Sequence, residues 1–251
     1  MINKLKLLHV FFLAWIGFAM QVNAQESTLL ESVRYIDSLN HCNISAEVFD
    51  SIYFKLPRVS TSPYKRHIRL NDKGRVYDLY CDENDNFSGV FVAFTYEFRY
   101  RKIENSQNAQ RYIHQIFFKK YQLNALDVEV AFDFVDSIKI AEIPSDSLIP
   151  NWQSGFLHCD GLMFQFSMDK NYSKSMFSCP WGQNDSIPQK SIVLSTHSQF
   201  SSLFATKEKY EALESQLPTN STYSNDGYLF WFYWDVSSKK KKRIRRKQQR
   251  S

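Results

Sequence analysis

The stretch that decides the fold is GVFVAFTYEFRYR, from Gly89 to Arg101. Its residues alternate strictly: Val92, Phe94, Tyr96, Phe98 and Tyr100 share one side, and Phe91, Ala93, Thr95, Glu97 and Arg99 share the other. A period of two over this length is the mark of a long β-strand, because successive side chains of a strand point to opposite faces. The all-aromatic or aliphatic set beginning at Val92 reads as the core face. Upstream, His67 to Leu70 and Arg75 to Tyr80 read as two strands joined at Asn71-Asp72-Lys73-Gly74, where Gly supplies the backbone freedom of a tight turn. Downstream of the polar segment Glu104 to Gln110, Arg111 to Leu123 reads as the returning strand, although Ile113, Ile116, Phe117 and Tyr121 also fit a helical stripe.

Helical spacing appears on both sides of this block. Leu29, Leu30, Val33, Ile36 and Leu39 recur at three- and four-residue steps and predict a helix over 26–40. Leu126, Val130, Phe134 and Ile138 step by four and predict another over 125–138, with neighbouring apolar residues widening the stripe. Pro188 opens a third, with Ile192, Val193, Thr196, Phe200 and Phe204 toward one face, and 207–217 gives a fourth that Pro218 stops. The pattern between Glu47 and Leu56 fits neither period, and Pro57 and Pro63 bracket a loop. Ile143 to Trp152 reads as an ordered loop between two prolines. Leu162 to Met168 and Tyr172 to Cys179 form a hairpin about Asp169-Lys170-Asn171. Tyr228 to Val236, YLFWFYWDV, is apolar on both faces, as in a strand buried on both sides. The expected fold is α+β: a mainly antiparallel sheet with long aromatic strands and helices packed on one face.

The two ends carry separate signals. Lys4 and Lys6, an apolar run from Leu7 to Val22, and Val22-Asn23-Ala24 before Gln25 make up an export signal cleaved after Ala24. Residues 25–238 then form one domain, and 239–251 form a polybasic tail. That tail holds Lys239, Lys240, Lys241, Lys242, Arg243, Arg245, Arg246, Lys247 and Arg250. It accounts for nine of the 31 basic residues, and the leader for two more, so the body has 20 basic against 26 acidic residues. The net charge of +5 therefore belongs to the tail, and the body does not carry the basic surface of a nucleic-acid-binding domain. Such a tail favours anionic surfaces such as phospholipid or lipopolysaccharide headgroups.

Cys42, Cys81, Cys159 and Cys179 are an even number in a chain read as exported, which predicts two disulfides. If Met168 faces Tyr172 across the hairpin turn, Gly161 opposes Cys179. Cys159 then lies within reach of it, leaving Cys42 to pair with Cys81. No cysteine or histidine spacing has the form of a metal site, and no cofactor motif is present. His158 and Cys159 are neighbours on an extended segment and point apart, so they cannot act as a nucleophile and base pair.

Two kinds of function remain. Trp152 and Trp181 on loops, with Trp231 and Trp234 in the YLFWFYWDV strand, could form an aromatic platform that binds a protein or glycan partner; their other use is as core. The alternative is an exported hydrolase acting on envelope material, with its acid or base among His114, His158, Asp160 and His197. Trp152 to Gly155, Asp160-Gly161 with Phe164 and Phe166, Tyr172 to Pro180, and Leu217-Pro218 before Tyr223 to Gly227 resemble small exported proteins of Gram-negative bacteria with no assigned activity. The resemblance covers about 143–227 and implies a periplasmic or surface location. It departs at Ser167, where such proteins carry Glu, which removes an acid that would have been a candidate. The reading is a non-catalytic binding or structural protein of the cell envelope, with the hydrolase as alternative.

Overall fold

A computed structural model describes residues 29–35, 45–102, 109–154, 156, 159–219 and 221–224. The leader, the Tyr228 to Val236 segment with Trp231 and Trp234, the basic tail, Cys42 and His158 lie outside these residues. The described chain runs β1 (Glu31–Arg34), α1 (Ala46–Tyr53), β2 (Arg66–Asp72), β3 (Arg75–Cys81), β4 (Phe87–Lys102), β5 (Ala109–Gln122), α2 (Ala125–Ile138), β6 (Gly161–Met168), β7 (Asn171–Ser178), α3 (Pro188–Leu203), α4 (Thr206–Glu214) and β8 (Thr222–Ser224). The strands form one antiparallel sheet in the order β1-β5-β4-β3-β2-β6-β7. β8 pairs with Tyr96 to Phe98 of β4, beyond the point where β3 ends opposite Ala93. The fold class is α+β, and the long aromatic strand and its return strand are β4 and β5.

Both faces of β4 are buried, where alternation predicted one. Phe91 and Ala93 join Ile68, Leu70, Tyr77, Leu79, Phe164 and Phe166 in a large core covered by α2, α3 and α4. Val92, Phe94 and Tyr96, the set read as the core face, lie with Val76, Ile116 and Phe118 in a smaller cluster under Tyr53 and Phe54 at the end of α1. Three helices thus cover one face as expected, and a fourth, short helix covers part of the other. That helix occupies the stretch whose period was ambiguous; Ser45 caps it by accepting from Val48 N at 3.4 Å.

Three expectations are corrected. Residues 31–34 are a strand on the outer edge of β5, with Val33 opposite Ile116. Leu30 packs toward the larger core and Val33 toward the smaller, a division between two faces that suits a strand and that a helix would not give. In α2 the buried side is Val128, Ala131, Phe132 and Val135, whereas Leu126 is 65% exposed. The helix is rotated from the predicted stripe because its two bulky neighbours, Phe132 and Val135, take the core. In the β6–β7 hairpin Asp169 and Lys170 both have positive φ, 48° and 67°. They close a two-residue turn of the primed kind that matches strand twist. Met168 therefore pairs with Asn171, and Ser178 lies opposite Gly161, one residue from the expected register.

Candidate functional site

The face of the sheet under α1 gathers the buried ionisable residues Asp50, His67, Arg69 and Asp78. Alternation along β2 sends His67, Arg69 and Asn71 to this face, and along β3 it sends Val76, Asp78 and Tyr80; α1 brings Asp50 down onto them. Arg69 is fully buried. It donates from Nε to Asp78 at 2.7 Å, from one terminal nitrogen to Asp50 at 3.4 Å, and from the other to the Pro57 carbonyl at 2.6 Å. Asp78 also accepts from His67 Nε2 at 2.8 Å and from the Tyr80 hydroxyl. Asn71 donates to Asp50 at 2.8 Å, and Gln165 to Asn71 at 3.2 Å.

The two carboxylates differ although they share one guanidinium. Burial pushes Asp50 up to about 6, against which the Arg69 charge and the Asn71 hydrogen bond act. Burial also acts on Asp78, but the Arg69 charge and the donors from His67 and Arg69 outweigh it and hold the acid below its usual range. Tyr80 is pushed well above the usual phenol value by burial and by the Asp78 charge. Ionised Asp78 can only accept, so in the neutral ring the His67 proton sits on Nε2. Its Nδ1 then accepts from the Ser62 hydroxyl, 3.0 Å away.

A second group gathers around the β2–β3 turn, where Gly74 adopts φ 70°. Asp72 accepts from His197 Nε2 of α3 at 2.9 Å and from Arg75 at 3.1 Å. Burial raises the Asp72 carboxyl, and the hydrogen bond and charge of His197 with the charge of Arg75 more than reverse this. Lys73 meets Asp160 at 3.2 Å. The His197 ring stands edge-on to Trp181 at 5.5 Å, and Trp181 is 46% exposed. Phe156, 38% exposed, lies over Gly182: a Cβ there would meet its ring at 3.4 Å and the Cys179 sulfur at 2.7 Å.

The support beneath this surface is covalent and polar. Cys159 and Cys179 form a disulfide with Cα atoms 5.1 Å apart. The Gln183 amide donates to the Gln153 carbonyl at 2.9 Å and accepts from Gln153 N at 2.8 Å, tying the 152–154 segment to the turn that carries Trp181. Glycine at 182 lets Phe156 and the sulfur approach this closely.

The structure therefore unites three predicted residues, Trp181, Asp160 and His197, at one end of the sheet. Trp152 is a packing residue, 5.7 Å from Phe177 and donating to the Ser178 carbonyl at 2.9 Å. His114 stands apart, as the extra residue where the β4–β5 register shifts beside Glu97 and Phe98. Cys81 is a buried free thiol, so it is not disulfide-bonded as expected; its proposed partner Cys42 is among the residues not described. Burial raises the Cys81 thiol above its usual value. Sequence reasoning missed Asp50, Arg69, Asp78 and Ser62.

No grouping of histidine, cysteine and acidic side chains suited to a metal ion occurs among the described residues. None of their helices is long and apolar enough to cross a membrane. Comparison of the chain with protein-family models, curated proteins and solved structures returns no match.

Proposed function

We propose that the chain is an exported binding protein of the cell envelope, periplasmic or at the cell surface, that takes a protein or glycan partner on the Trp181 surface. The observation that carries this reading is an exposed indole held by a histidine edge and backed by a disulfide. Exposed aromatic side chains on a rigid support give large contact area at small entropic cost. The charged and polar groups at Asp72, Lys73, Asp160 and His197 border it and would orient a polar ligand. No chemistry is assigned to this surface. The disulfide supports export, since such bonds persist in oxidising compartments. On this reading the tail from Lys239 to Arg250 associates with phospholipid or lipopolysaccharide, each basic residue contributing about 1 kcal/mol.

Two experiments test the two parts. Fractionated envelope polysaccharide and envelope protein from the native host are titrated against the purified chain and W181A. The reading expects at least a tenfold loss of affinity for one fraction, about 1.4 kcal/mol, with the fold intact. Equal binding by W181A would sink it. For the tail, a chain ending at 238 should lose salt-sensitive retention on anionic vesicles, and unchanged or salt-insensitive retention would contradict its role.

A further inference from the structure

Ser62, His67 and Asp78 form a continuous hydrogen-bonded chain, with 3.0 Å from Ser62 Oγ to His67 Nδ1 and 2.8 Å from His67 Nε2 to Asp78. We infer that Ser62 is a nucleophile toward acyl esters, with His67 as its base and Asp78 fixing the imidazole. The inference is independent of the Trp181 surface and uses other residues. It rests on how the protons must be placed. Asp78 accepts from His67 Nε2, so the neutral ring presents its Nδ1 lone pair to Ser62. Ser62 Oγ accepts from Tyr64 N at 3.2 Å, which leaves its own proton to point at that lone pair.

This is the division of labour of a serine–histidine–aspartate triad, with the ring used in the opposite sense. In the familiar arrangement the serine faces Nε2 and the acid Nδ1. The chemistry requires only that one nitrogen be a fixed donor and the other a free acceptor. His67 and Asp78 are fully buried, and Ser62, on the loop that crosses them, is half-buried, which makes it the least buried member of the three. Tyr80 packs on the His67 ring with centroids 4.9 Å apart, and Tyr64 stands edge-on to it at 5.9 Å; both restrict rotation of the base. Arg69 and Tyr80 also donate to Asp78 and hold the carboxylate in place behind the ring.

In the reaction, Ser62 Oγ bonds to the ester carbonyl carbon and its proton passes to His67 Nδ1. The carbonyl re-forms as the carbon–oxygen bond to the alcohol breaks, and that alcohol leaves with the proton from His67. Water then attacks the acyl-serine by the same route and releases the carboxylic acid.

The test uses the full chain and a fluorophosphonate probe, which Ser62 would attack at phosphorus with loss of fluoride, and reads adducts by peptide mass mapping. Exposed Ser60, two residues away, is the internal control. The expected result is an adduct on Ser62 formed about 100-fold faster than on Ser60, the scale of one positioned base. It should be lost in S62A and slowed to the Ser60 rate in H67N. Because H67N alters a buried site, the wild-type pH profile serves as well: the Ser62 to Ser60 ratio should fall on acidification, since a protonated ring cannot take the serine proton. A Ser62 rate no greater than that of Ser60, or a ratio that does not change with pH, would overturn the inference.

Discussion

The two faces of the sheet use the same strands and are held in opposite ways. Under α2, α3 and α4 the contacts are apolar, with Phe91, Phe132, Phe164, Phe166, Phe177 and Phe200 packed together and Tyr77 raised to about 12 by burial. Under α1 the same strands present Arg69, Asp78, His67 and Tyr80, and one short helix with the loop after it covers them. The first face is stabilised by area removed from water and tolerates small losses. The second depends on complete pairing, because a buried charge left without its partner costs several kcal/mol. A face with less cover thus carries the groups that are more costly to disturb.

This contrast can be broken most severely at Arg69. R69L leaves Asp50 and Asp78 buried without their cation and should cost about 4 kcal/mol, read as a lower midpoint in urea unfolding. D50N and D78N added to R69L should restore much of the loss, whereas a repacked apolar face has no such compensation. On the other face F200A removes a ring that meets Tyr77 and Phe204 at 5.8 and 5.7 Å. It should cost about 3 to 4 kcal/mol by cavity formation, with little dependence on pH.

The disulfide gives a somewhat smaller effect and lies beside the Trp181 surface. Its cysteines are 20 residues apart, and C159S with C179S should lower stability by about 3 kcal/mol. The same pair should weaken partner binding more than F200A does, which a parallel titration would reveal.

Asp50 separates the faces by pH. Its carboxyl titrates near 6 in the folded chain, against 3.8 as its reference value. The folded state therefore holds this proton more tightly. The stability it contributes is complete below about pH 4 and is lost as pH rises through 6. The two-unit difference is about 3 kcal/mol. D50N should remove this decline between pH 4 and 7 in chemical unfolding, and a variant that kept the full decline would place the titrating group elsewhere. Asp72 and Asp78 act in the other direction: both are lowered, so their contribution is present above about pH 4 and lost as pH falls below it.

Most of the sheet was legible because its signals are local. The alternation of β4 and the Gly74 turn each follow from a few adjacent residues, and so does the β6–β7 hairpin, though its turn is one residue shorter than read and its register shifts accordingly. What the pattern could not show was cover. His67, Arg69 and Asn71 alternate with Ile68 and Leu70, and only the placement of α1 and of the loop from Pro57 to Ser62 makes the polar set an interior. For the same reason Leu126 and Val130 looked like a core stripe and are exposed, since a helical period fixes which residues share a side without fixing which side meets the sheet. At the candidate site Trp181, Asp160 and His197 were visible one by one. Their meeting depends on Asp72 and Lys73 at the β2–β3 turn, and no local spacing encodes that.

The claim that the Trp181 surface engages an envelope partner is tested most directly by placing a photoreactive amino acid at 181 and, as control, at the exposed position 126, then irradiating the native envelope. The account predicts a discrete crosslinked species from 181 that is absent from 126 and that excess unlabelled wild-type chain suppresses. Equal and unsaturable crosslinking from both positions would contradict it.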